Sequence, residues 1–272
     1  GQFTFTWIGF AAATALLIPA TVRRGGRRRR AGLAVMAVST ALLGVGFALR
    51  WVVSGRGAAL PPILNEFEAV TASALLAGAV AIALETVWKR GTFALAGSFY
   101  AAVAMLCGFW MPGRMGAGIS ATHGILDSPL MAAHVGVIIV AHAMVGMTFV
   151  ISVAYLAAGA WPGRAARPET LTDIDRCNLV VVHLATWTLA LGTALGAAWG
   201  DVAWGRWWGW DAKETWALIT LLVYVVIVHV RLTLPPGRRG RATAIGCVIG
   251  TAVMLFNWIV VNYYLTRMHG YA

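Results

Sequence analysis

Residues 131–158 read MAAHVGVIIVAHAMVGMTFVISVAYLAA, 28 consecutive positions without an Asp, Glu, Lys or Arg. A helix rises about 1.5 Å per residue and the hydrocarbon core of a bilayer is about 30 Å thick, so roughly 20 apolar residues span it. This stretch is long enough to cross. Seven others of the same character flank it, at about 3–21, 32–53, 66–88, 92–111, 179–199, 215–233 and 242–265. The chain of 272 residues is 60% hydrophobic and 11% charged, whereas soluble domains carry about 25% charged residues. The expected fold is therefore all-α, a polytopic transmembrane bundle of about eight spans, forming one membrane domain over 1–272. Ala, Leu, Val and Gly dominate the spans, which suits close helix packing in lipid.

The charges fix an expected orientation. Connectors after the first, third, fifth and seventh spans hold 15 of the 21 basic residues, including the run Arg27 to Arg30. The opposite side holds Arg50, Arg56, Arg114, Arg206, Lys213 and Arg267. The positive-inside rule puts the first set in the cytoplasm and both termini outside. A net charge of +11 distributed in this way reads as topology, not as a nucleic-acid footprint. Cys107, Cys177 and Cys247 are far apart and form no CxxC pair, which argues against a disulfide framework or a zinc site. The first span is not a signal peptide by pattern, because its positive charge follows the apolar stretch. The chain opens on Gly1 without Met, so the natural start is expected upstream.

Three outer connectors carry the candidate chemistry. One is residues 55–68, GRGAALPPILNEFE; another, 111–130, contains His123 and Asp127. The third runs from Trp199 to Trp216 as WGDVAWGRWWGWDAKETW and holds six of the chain's thirteen tryptophans. An interfacial aromatic belt accounts for one or two tryptophans per helix end. Six, interleaved with glycines, make a slab-like apolar surface edged with N–H donors, suited to a large planar ligand. Both readings stand on composition.

Of six histidines, His134 opens the fifth span and His269 follows the eighth, both on the tryptophan side. His142 lies two turns beyond His134. His183 is near the inner end of the sixth span, and His229 lies deep in the seventh. A lone intramembrane histidine is most simply a packing residue, yet ionisable groups at that depth are functional candidates. Two outer imidazoles from different helices suit the axial positions of haem iron. Catalytic zinc, the rival, usually takes three protein ligands, and no HxH or HExxH spacing supplies them.

The stretch Trp204-Gly-Arg206-Trp207-Trp208-Gly-Trp210-Asp211-Ala-Lys213-Glu-Thr-Trp216 resembles the "WWD" signature of haem-handling membrane proteins. Its Asp-x-Lys-Glu-Thr-Trp continuation resembles the CcsA (ResC) family of system II cytochrome c biogenesis more than CcmC or CcmF. Pro62-Ile-Leu-Asn65-Glu-Phe67-Glu68, His229-Val-Arg231, Val261-Asn262 and Met268-His269-Gly270-Tyr271 resemble further elements of that family in the same order. The likeness covers about residues 60–272. Ala212, Phe67 and Gly270 depart from the residues usual there.

The resemblance implies that haem b, as ligand and substrate, is held at the outer face between His134 and His269. Trp204, Trp207, Trp208, Trp210 and Asp211 would lie against it, and Arg206 and Lys213 would meet its propionates. It implies a haem lyase acting with a CcsB/ResB-type subunit on the CxxCH motif of apocytochrome c, supported by a thiol-reducing thioredoxin-like protein. The chain itself would supply no nucleophile. His229 is implied as an iron ligand at an inner station. Asp211 and Glu214 also read as caps of the seventh helix. The implied location is a bacterial cytoplasmic membrane, or the thylakoid equivalent, with the active face extracytoplasmic. A haem exporter without lyase activity and a b-type electron-transfer or scaffold subunit remain open alternatives.

Overall fold

Backbone N–H and C=O groups in lipid must be satisfied within the segment, so long apolar runs become helices. The computed structural model describes residues 2–23, 26–57, 59–63, 65–110, 118, 128–160 and 168–265. Among these residues eight α-helices follow one another: α1 (Gln2–Arg23), α2 (Gly26–Ser54), α3 (Glu66–Trp88), α4 (Thr92–Trp110), α5 (Pro129–Ala160), α6 (Pro168–Trp204), α7 (Ala212–Thr233) and α8 (Pro236–Leu255). A π-helical segment, Phe256–Leu265, continues α8. No strand occurs among the described residues. Six helices are long and apolar enough to cross a membrane; α1 and α4 carry shorter apolar stretches, Thr6–Thr21 and Thr92–Gly108. The chain is an integral membrane helical bundle.

The elements match the expected spans except at two places. The sixth span was expected at 179–199, but α6 runs 37 residues, from Pro168. Distant arginines neutralise the carboxylates of its charged first turns. Asp175 takes two bonds from Arg231, at 2.7 and 2.6 Å, and Asp173 one from Arg90, at 2.9 Å. The last span does not stay α-helical. It ends in π geometry, which is uncommon and frequent at functional sites.

Packing divides the bundle into α1–α4 and α5–α8, joined where α5 lies against α3 and α4. Phe10, Leu17, Met36, Leu43 and Phe93 fill the first half, and Met144, Met147, Ile151, Tyr224 and Ile227 the second. Buried hydroxyls find partners across helices, as Thr148 does with Tyr224 at 2.8 Å and Tyr100 with Ser73 at 3.1 Å. The bundle has two chemically distinct ends. One carries the Arg29–Glu85, Arg90–Asp173 and Arg231–Asp175 pairs. The other carries the α2–α3 connector, residue 118 and the tryptophan stretch between α6 and α7.

Candidate functional site

The tryptophan stretch is not one loop. Trp199 to Trp204 form the last turns of α6, and Ala212 to Trp216 the first of α7, leaving 205–211 as the connector. Expected as an outer loop over 199–216, the motif is thus a short turn between two helix ends. Gly205 makes the stop: at φ +69° its N–H bonds Asp201 O at 2.8 Å, closing α6 in a left-handed cap. Asp211 makes the restart. Its carboxylate accepts the Glu214 N–H at 2.8 Å, while Glu214 Oε2 accepts the N–H of Asp211 at 3.2 Å and of Gly209 at 2.7 Å. This is a complete capping box. The two acids therefore shape the connector, as the capping reading expected.

The indoles divide by exposure. Trp199 is buried and meets Trp204 edge-on at 4.9 Å. Trp208 meets Trp210 edge-on at 5.9 Å, and its Nε1 is buried without an acceptor among the described residues. Trp207 and Trp210 are 61% and 71% exposed. Trp210 adopts φ +57°, a conformation that costs a bulky residue about 1–2 kcal/mol. The turn thus presents two indole faces outward at the expense of backbone strain. The Arg206 guanidinium lies across Gly209, where any Cβ would come within 2.5 Å of it. Arg206 is exposed, whereas Lys213 is half-buried within the electrostatic reach of Asp211 and Glu66. Trp216 packs on Phe256 at 4.3 Å, tying α7 to the start of the π segment.

His134 is held from α6. Its Nδ1 lies 2.8 Å from Gly192 O. A carbonyl oxygen only accepts, so Nδ1 carries the proton and Nε2 the lone pair, the arrangement usual for a metal-ligating imidazole. A Cβ on Gly196 would stand 2.6 Å from the ring, and one on Gly192 2.5 Å from Ile138. Two glycines one turn apart therefore let α5 and the imidazole close on α6. They lie 8–12 residues before Trp204, about 12–18 Å along the helix. Replacing Gly196 with Ala is expected to push the ring off Gly192 O. Overpacking of this kind costs about 1–3 kcal/mol. Haem absorbance of the purified protein should broaden or fall, and an unchanged spectrum would separate the glycine from the imidazole.

His142 lies half-buried about 12 Å further along α5, within reach of the Lys213 charge. His229 is distant from this end, 17 residues after Ala212 or about 26 Å along α7. It is exposed on the bundle's outer surface and donates from Nδ1 to Val225 O of its own helix at 2.7 Å. His183 on α6 is also exposed. His123, Asp127 and the ending with His269 lie outside the described residues.

The residues 62–68 element has a role that sequence reasoning did not assign. Asn65 caps α3 by accepting the Glu68 N–H at 2.8 Å. The fully buried Glu68 carboxylate takes Arg50 Nε at 2.9 Å and Arg56 at 2.8 Å.

A family model described as "Cytochrome C assembly protein" matches residues 63–269. The chain belongs to the cytochrome c assembly protein family. Within it, the match to the cytochrome c biogenesis protein CcsA of Synechococcus sp. (strain CC9902) is 28% identical and covers 98% of this chain and 96% of that protein. The CcsA of Chlamydomonas reinhardtii is 31% identical over 54% of this chain and 41% of its own length. Protein NrfI of Wolinella succinogenes is 35% identical over 38% of this chain and 11% of its own length. The matched region takes in His134, the tryptophan stretch, Glu68 and His229, and leaves Arg50 and Arg56 outside it.

Proposed function

We propose that this chain is the haem-presenting subunit of a cytochrome c synthase. The observation that carries the reading is the fixed tautomer of His134, with Nε2 as the lone-pair atom at the end of the bundle that carries the exposed indoles. Haem is the substrate. His134 and His269 take its iron from two sides, Trp207 and Trp210 lie against the macrocycle, and Arg206 meets a propionate. Trp208 Nε1 supplies a further donor. Haem then waits for a CxxCH apocytochrome. Each thioether forms when a cysteine S–H adds across a vinyl C=C, sulfur to one carbon and hydrogen to the other, with no net redox change. The chain contributes orientation, a proximity effect worth several kcal/mol. Thiols stay reduced through a thioredoxin-like partner. The indole surface limits water at the reacting edge.

His229 belongs to an earlier station. Its imidazole faces outward, bonded only within its own helix among the described residues, so a haem there needs a second ligand from another subunit. A transmembrane histidine of a CcsB/ResB-type partner fits that geometry, and haem would then enter at the arginine-rich end, the end that the positive-inside rule assigns to the cytoplasm. The test is purification of the complex with its partner, followed by reduced-haem spectra and haem staining after addition of apocytochrome. Non-covalent haem that becomes covalent on the peptide is expected. Haem that stays with the complex and only cycles its oxidation state would make it an electron-transfer subunit. His229→Ala should keep the partner bound yet deplete the co-purifying haem. A full haem complement in that variant would make His229 a surface packing residue.

A further inference from the structure

At the arginine-rich end, α1, α2, the α3–α4 turn and the start of α6 line a partly open cavity of about 280 Å³. Arg29, Lys89 and Arg90 line it, with Asp173 the acidic side chain among the lining residues. Arg90 is paired to Asp173 at 2.9 Å, and Arg29 to the fully buried Glu85 behind it at 3.2 Å. Lys89 makes no ion pair among the described residues, so the cavity keeps a surplus of positive charge. The turn's geometry maintains this. Lys89 is the left-handed cap of α3 at φ 54°, Gly91 follows at φ +83°, and Gly91 N–H is tied to Glu85 at 2.6 Å. The backbone thereby aims the Lys89–Arg90 pair and the first turn of α4, which has no acidic residue, at one space.

We propose that this cavity binds a phosphate anion, most naturally the headgroup of an anionic phospholipid. The volume and the charged, hydroxyl-bearing lining suit a small polar anion. A tetrapyrrole requires a larger and predominantly apolar slot. Two neighbours set the level of the cavity relative to lipid. Trp88 lines it, 43% exposed and edge-on to Phe93 at 5.7 Å, and Val87 beside it is 69% exposed. An indole next to a lipid-facing valine marks the headgroup boundary. Exposed Arg27, Arg28 and Arg30 on the adjoining turn of α2 raise the local concentration of anionic lipid. Neither His134 nor His229 is among its lining residues.

The experiment uses the full chain in nanodiscs of phosphatidylcholine with or without phosphatidylglycerol. After gentle detergent extraction, retained lipid is read by native mass spectrometry, with inorganic phosphate as competitor. Phosphatidylglycerol should be retained in preference to phosphatidylcholine. Lys89→Asn preserves the left-handed cap and breaks no pair, and should lower retention about fivefold. Adding Arg90→Gln should bring the loss to about thirtyfold. Arg238→Gln, an exposed cation at the same end, should change nothing. Retention that survives inorganic phosphate supports a lipid headgroup, and displacement by it supports a phosphate taken from solution at the same site. Equal retention of both lipids overturns the proposal. So does wild-type retention in Lys89→Asn with Arg90→Gln, or an equal loss in Arg238→Gln.

Discussion

His134→Ala should lower cytochrome c maturation by about tenfold or more, since even an outer-shell partner of a metal ligand costs 10–100-fold when removed. The structural cost should be small by comparison. The imidazole is half-buried, and its bond to the Gly192 carbonyl is worth about 1 kcal/mol. Co-purification with the partner therefore separates a missing ligand from a missing fold. Added imidazole should restore part of the yield, because the glycines at 192 and 196 leave a slot of the ring's shape that a small ligand can refill. Combining His134→Ala with His269→Ala should cost little more than either alone, as expected for two groups acting on one iron. Wild-type yield from His134→Ala would remove it as an essential ligand. His142, further along the same helix, would then be the next residue to test.

What the sequence disclosed depended on whether a feature was local. The run 131–158 announced α5 because hydropathy is a sum over neighbours. The Asp211 and Glu214 caps were readable because a capping box lies within four consecutive residues. The polar start of α6 was not, because hydropathy does not report it and the charges of Asp173 and Asp175 are met by Arg90 and Arg231, 83 and 56 positions away. Likewise the depth of His229 followed from counting residues, whereas its outward face depends on how α7 is rotated against α6 and α8. The support of His134 by Gly192, 58 positions distant, has no signature in the local sequence. Small residues in a membrane helix indicate close packing, without naming the side chain that will occupy the space.

Glu68→Gln is expected to be the most destabilising single change at the tryptophan end. The carboxylate is fully buried and neutralises two guanidiniums whose side chains are only 11% and 6% exposed. Glutamine has the same shape but no charge. It leaves Arg50 and Arg56 facing one another with little solvent to separate them. Breaking a buried pair from one side costs about 3–5 kcal/mol. The damage should extend along the connectors. Arg50 also donates to Gly118 O at 2.8 Å and lies 5.4 Å over the Phe67 ring, so it joins α2, the start of α3 and residue 118. Asn65→Ala provides the internal scale, because it removes the α3 cap and should cost about 1 kcal/mol. Thermal unfolding in micelles should rank Glu68→Gln well below Asn65→Ala. Arg50→Met with Glu68→Gln should recover part of the loss, since one guanidinium rather than two then loses the Glu68 charge. If Glu68→Gln unfolds no earlier than Asn65→Ala, the two arginines have other compensation and the carboxylate is not what fastens this end of the bundle.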